Sequence, residues 1–124
     1  MIQRVIILGA FPGLNNIVNA AKQHWSAYSK EKKERTTSVA IMARAAGIKP
    51  IKGRCVVRCL WYEKDRRRDP DNIRVGIKYI LDGLVQAGVL PDDSQKHIAG
   101  LEDRFYVDKE RPRVEVEIIE APPE

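Results

Sequence analysis

The sequence predicts an α/β chain, with α+β as the alternative: a small mixed β-sheet carrying two main helices on one face. Three observations predict it. Segments Arg54–Tyr62 and Arg113–Ile119 alternate apolar and polar residues with the period of a strand. Asn72–Ala87 repeats its apolar residues at helical spacing. The β-branched run at residues 2–8 reads as a further buried strand. The element order is β-α-β-α-β-β, which places helices against a single sheet.

The first strand closes at Gly9 and at the Pro12-Gly13 pair. Asn15 or Asn16 then offers a helix cap. Ile17, Ala21, Trp25 and Tyr28 recur at helical spacing, followed by Val39, Met42 and Ala46. Residues Lys30–Arg35 between them are almost wholly charged, so this region is one long helix with a solvated middle, or two helices with a break. Gly47 and Pro50 end it. Trp25 and Tyr28 are expected to pack this helix.

In the second strand Cys55, Val57, Cys59 and Trp61 form one apolar face. Arg54 and Arg58 lie on the other with Val56, Leu60 and Tyr62. In the next helix Ile73, Ile77, Ile80, Leu81 and Leu84 form the buried stripe, and Gly88 suits its C-terminal cap. Gly76 costs about 1 kcal/mol there relative to alanine unless it admits another backbone closely. His97–Val107 and Arg113–Ile119 read as two strands joined by Asp108–Pro112 as a closing hairpin. Val114, Val116 and Ile118 face inward, and Glu115 and Glu117 outward.

The 124 residues suit one domain over residues 1–120, with a disordered tail at 121–124. A net charge of +5 favours a polyanionic partner. Cys55 and Cys59 lie roughly 13 Å apart along one strand face, too far for a disulfide. They read as reduced, half-buried thiols of a cytoplasmic protein. No zinc-ligand spacing surrounds them. The apolar run Val5–Leu8 is too short for a membrane span or a signal peptide.

The chemistry concentrates in Arg66-Arg67-Arg68-Asp69-Pro70-Asp71-Asn72 and in Asp92-Asp93. Carboxylates are the ligands of hard divalent cations, and arginines hold phosphates bidentately. Pro70 biases Asp69 toward extended backbone, where residues two apart point the same way, so Asp69 and Asp71 can converge. A purely structural reading makes Asp71 or Asn72 a helix cap, Asp69 a turn residue and Asp92-Asp93 a solvated loop. A sixteen-residue helix is roughly 24 Å long, so Asp92-Asp93 reaches the first pair only if the chain runs back or a partner subunit intervenes. Lys78 and Asp82 form a surface ion pair, or Lys78 faces a phosphate. His97 reads as a strand-edge residue.

The segments Asp65–Ile73, Lys78–Leu84 and Gly88–Gln95 resemble the RusA family of Holliday-junction resolvases. Pro12–Asn16 resembles the family's first loop more weakly. The resemblance spans most of the chain, but only residues 65–95 are specific. It implies a RusA-like fold and a metal-dependent endodeoxyribonuclease that resolves four-way DNA junctions in recombination and repair. It further implies a homodimer dependent on Mg²⁺, with Mn²⁺ as a substitute. Carried over, Asp69, Asp71 and Asp93 are catalytic metal ligands supported by Asp92, with Lys78 as a further catalytic residue. Asn72 orders the loop, and Arg66, Arg67, Arg68 and Arg74 bind DNA. The family's lysine often lies four residues after the second aspartate, where this chain has Val75. Alignment from Asp82 backward places Lys78 there, with about three extra residues in the helix's first turns. Pro70 is also stiffer than the residue many members carry. The alternatives are a structure-selective or general metal nuclease, and a DNA-binding module whose aspartates only cap and brace.

Overall fold

The computed structural model describes residues 2–13 and 25–121, and the side chains of all of these except 25–28. The elements are β1 (Ile2–Leu8), α1 (Trp25–Ala45), β2 (Cys55–Glu63), α2 (Pro70–Arg74), α3 (Ile77–Gln86), β3 (Ile98–Val107) and β4 (Arg113–Glu120). The expected order is therefore present, with one helix divided. The strands form one mixed sheet in the order β1-β4-β2-β3. β4 lies antiparallel to both β1 and β2, and β3 lies parallel to β2.

The closing hairpin is not formed. β3 and β4 flank β2 on opposite sides, and Asp108–Pro112 passes over the end of β2. Two backbone bonds hold that crossing: Asp108 N donates to Glu63 O at 2.8 Å, and Gly9 N donates to Pro112 O at 2.9 Å. The cause is burial. Cys55, Val57, Cys59 and Trp61 are all nearly inaccessible, so β2 occupies an interior position of the sheet. The thiols are fully rather than half buried, and burial pushes Cys59 well above the ordinary thiol range.

The inward sheet residues join Val39, Ala43, Ile73, Tyr79, Ile80 and Leu84 in one core. α1 runs unbroken through its charged middle, so the single-helix alternative holds over the described span. Its buried stripe is Val39, Ala40 and Ala43, whereas Met42 and Ala46 are exposed. Gly47 and Gly88 end their helices at φ +70° and +79°, conformations open to glycine. α1 and α3 touch at Gly83, where an added Cβ would meet the Thr36 carbonyl at 3.0 Å and Val39 at 2.5 Å. The expectations for Asn15, Asn16, Ile17 and Ala21, for the tail at 122–124, and for the side chains of Trp25 and Tyr28 lie outside the described residues.

The opposite sheet face carries a rung of alternating charge, Arg4–Glu117–Arg58–Glu102, paired across all four strands. Arg4 reaches Glu117 at 2.6 Å, and Arg58 reaches Glu117 at 3.2 Å and Glu102 at 3.3 Å. Glu117 points away from the core as expected, yet it is only 7% exposed because the two arginines cover it. The hydrogen bond from Arg4, then that from Arg58, outweighs burial and holds Glu117 below its ordinary 4.5.

Two outcomes follow. Gly83→Ala gains about 1 kcal/mol of helix propensity but forces a contact that costs roughly 1–3 kcal/mol against a backbone carbonyl. Urea denaturation is expected to show a net loss, and a stabilised variant would contradict the close approach. Glu117→Gln is expected to cost about 1–3 kcal/mol at pH 7. A depressed folded-state pKa gives stability above the unfolded value that is lost as pH falls through the folded one. The gap between wild type and Glu117→Gln in pH-resolved unfolding should therefore close below about pH 4.5.

Candidate active site

The site begins where β2 ends. Arg68 closes a two-point fork on Glu63, at 2.8 and 3.0 Å, and donates to the Phe11 carbonyl at 2.9 Å. Its guanidinium thus ties the β2 exit to the loop after β1. Arg66 is exposed. Arg67 is 87% exposed and lies 3.6 Å from Asp65. Of the three arginines read as phosphate binders, Arg68 already has its donors engaged within the fold.

Asp69 has φ −73° and ψ 155°, the extended conformation that Pro70 imposes. Its carbonyl accepts from Asn72 N at 3.0 Å and Ile73 N at 3.1 Å, which starts α2. Its carboxylate makes no capping hydrogen bond. Asp69 is therefore the cap residue by backbone alone, and its side chain remains exposed. Asp71 lies in the first turn of α2 and accepts from Asn72 N at 2.9 Å. Strand alternation consequently does not govern the pair. Asp71 is helical, where the dipole favours its charge. The Asn72 side chain lies against Gly13, and a Cβ there would overlap its amide.

The expected long helix breaks at Val75-Gly76. A Cβ at Gly76 would meet Phe11 Cβ at 3.1 Å and Trp61 ring carbons at 3.2 Å. The glycine admits side chains, not another backbone. The break coincides with the extra residues that separate Lys78 from Asp71. Trp61 Nε1 donates to Asp103 at 2.8 Å, and Asp103 accepts from Arg74 Nε at 2.6 Å. Sequence reasoning missed Asp103. Its signal was an acidic residue in a strand whose neighbours two away, Leu101 and Phe105, are apolar.

After α3 the chain doubles back. Val89 N and Leu90 N both donate to the Leu84 carbonyl, at 2.9 and 3.3 Å, and Ile51 N donates to Val89 O at 3.0 Å. This return carries Asp93 to the first turn of α3, with Lys78 Nζ 3.5 Å from Asp93 and 3.3 Å from Asp82. Desolvation pulls Lys78 down, but the hydrogen bonds and charges of Asp82 and Asp93 together raise its pKa. Lys32 adds a contact to Asp82 at 3.9 Å. Asp92 turns into its own loop, accepting from Ser94 N at 2.8 Å with His97 at 3.8 Å. Hydrogen bonds from Ser94 hold Asp92 below the usual carboxylate range.

The structure thus brings together Asp93, Lys78 and Asp82, and separately sets Asp69 and Asp71 at one helix start. Among the described residues, no three acidic, histidine or cysteine side chains are gathered closely enough to hold a metal ion. The donor chemistry nevertheless suits a hard cation. Mg²⁺ typically takes one or two carboxylates and keeps several waters, and Asp69 and Asp71 are exposed carboxylates two residues apart. No helix among the described residues is long and apolar enough to cross a membrane.

No curated protein matches the chain significantly. The family model described as endodeoxyribonuclease RusA matches residues 14–119, which covers β2, both helices of the site, the Asp92-Asp93 loop and most of β4. On that match the chain belongs to the RusA family of endodeoxyribonucleases.

Proposed function

We propose that this protein is a divalent-metal-dependent endodeoxyribonuclease that resolves four-way DNA junctions, in recombination and repair, in the cytoplasm. The observation that carries the reading is Asp69. It starts α2 through its carbonyl and leaves its carboxylate uncommitted at the head of the motif that the family match covers. The side-chain cap usual for an aspartate at this position is not made, so the carboxylate stays available to a ligand.

Asp69 and Asp71 would hold the cation, Mg²⁺ or in its place Mn²⁺, with Asp93 as the third ligand and Asp92 in support. Bound there, the cation would activate a water and neutralise charge on the phosphate. The protein's own part is positioning. Asn72, seated against Gly13, steadies the loop at the start of α2. Lys78 remains cationic between Asp82 and Asp93, so an incoming phosphate meets an ammonium within reach of the Asp93 carboxylate. Arg66 and Arg67 extend into solvent and suit backbone phosphates. Arg74 is held through Nε by Asp103, with its side chain still 41% exposed. Arg68 acts indirectly, by bracing the loop that presents Asp69. A two-fold homodimer matches the symmetry of a junction, one nick from each subunit.

The deciding experiment compares a labelled four-way junction with a matching linear duplex, in Mg²⁺ and in EDTA. Mg²⁺-dependent paired nicking of the junction alone is expected. Equal cutting of both would point to a general nuclease, and cutting of neither to a binding module. Asp69→Asn is expected to abolish nicking while junction binding holds or tightens, because a charge facing phosphate is removed. Full activity in that variant would remove Asp69 from the site. Lys78→Met is expected to slow single-turnover cutting by about 10²-fold, the usual loss for one charge-stabilising donor. An unchanged rate would make Lys78 a brace for Asp93 and no more.

A further inference from the structure

The cavity that contains Asp69 is walled by aromatic surface. Its volume is about 250 Å³, and it is lined by Phe105, Tyr106 and Val107 at the end of β3 together with Arg66, Asp69 and Ile73. β3 is an edge strand; Tyr106, 45% exposed, stands on the sheet face away from the core, Phe105 and Val107, 38% and 40% exposed, stand on the other, and all three border the cavity at the strand's end. Exposed apolar groups clustered at a candidate active site call for an occupant. The larger neighbouring cavity, about 710 Å³, is lined by Leu8, Lys64, Arg67 and Arg111 among others and holds neither Asp69 nor an aromatic ring.

Tyr106 is the free end of a built stack. Arg113, Tyr62 and Tyr106 share one rung across β4, β2 and β3. The Arg113 guanidinium lies 3.8 Å from the Tyr62 ring centre. The two tyrosine rings stack at 5.0 Å with 27° between planes. Arg113 is itself pinned by Asp108 at 2.7 Å and Glu115 at 2.8 Å. The stack is therefore immobilised at the Arg113 end, and its other end, Tyr106, is 45% exposed and lines the cavity that Arg66 and Asp69 also line.

We infer that Tyr106, backed by Tyr62 and Arg113, is a stacking platform for one nucleobase of the strand whose phosphate faces Asp69. The volume falls below the roughly 300 Å³ where pockets for drug-sized ligands begin, which suits a single base ring. Base–aromatic stacking is tolerant of sequence because every base has a π-face. Unstacking a base costs least where pairing is already disturbed. The platform would thus favour a branch point over continuous duplex without reading sequence. This inference rests on the nuclease reading for the location of the phosphate.

The test uses the full chain in EDTA, so that binding is read without cutting. Four-way junctions carry an abasic nucleotide at successive positions around the crossover, and affinity is read by fluorescence anisotropy. Wild type is expected to lose at least about fivefold at one position, the lower end of what a stacked base contributes. Tyr106→Trp should keep that penalty. Tyr106→Ala should bind the intact junction about fivefold more weakly and lose the penalty. An equal penalty in Tyr106→Ala, or no sensitive position in wild type, overturns the platform. A measurement on wild type alone guards against a misfolded variant: 2-aminopurine at the sensitive position should change its fluorescence on binding, and an unchanged signal also overturns it. Normal Mg²⁺-dependent nicking without this coupling removes only the platform. Coupling without nicking removes only the catalytic reading.

Discussion

The contact between the Trp61 indole and Gly76 is the constraint on which the site depends. Trp61 is 3% exposed at the end of β2, and its ring carbons would lie 3.2 Å from any Cβ at position 76. A side chain there would press on Trp61 and on Phe11 Cβ at 3.1 Å, so glycine lets this turn pack directly against both; the helical segment is interrupted at the same place, at Val75-Gly76. The break creates a short α2 that carries Asp69 and Asp71 and a separate α3 that carries Lys78. The same indole donates to Asp103, which grips Arg74 at the end of α2. One buried aromatic residue thereby joins the end of β2 to the turn after α2 and, through Asp103 on β3, to Arg74.

Shortening α3 to ten residues has a second consequence. A helix of that length is about 15 Å long, not 24 Å. Once Val89 and Leu90 fold back onto the Leu84 carbonyl, the acidic loop needs little chain to reach Lys78. Asp93 then finds a cation already held by Asp82. The arrangement is electrostatically poised. Asp82 and Asp93 both lie against Lys78, and Lys32 adds a second cation beside Asp82, so positive charge offsets the two carboxylates.

Much of the fold was legible because its signals are local. The alternation in β2 and β4 names the inward residues correctly, and Gly47 and Gly88 mark helix ends through backbone freedom that only glycine supplies cheaply. What was not legible came from contacts between distant residues. The five-residue connection 108–112 reads as a hairpin, yet the apolar face of β2 draws a strand to each side of it. The close packing at Gly76 is against Trp61 and Phe11, and neither is near it in sequence. For the site, the residue types and motif spacing were readable and the partners were not. Nothing in Arg66-Arg67-Arg68 distinguishes the arginine that braces Glu63 from the two that face solvent.

That distinction bears on how the motif works. Arg68 buries its fork on Glu63 and the Phe11 carbonyl, and so it converts the residue before Asp69 into part of the scaffold. Pro70 restricts the residue after it. Asp69 is therefore held between two constrained neighbours in an extended conformation, with its carbonyl spent on α2 and its carboxylate left over. Preorganisation of this kind lowers the entropy lost when a ligand binds. It also accounts for a side chain that is exposed on an ordered backbone. The order lies in the backbone and in the arginine beside it, so the position of the carboxylate does not depend on a capping hydrogen bond of its own.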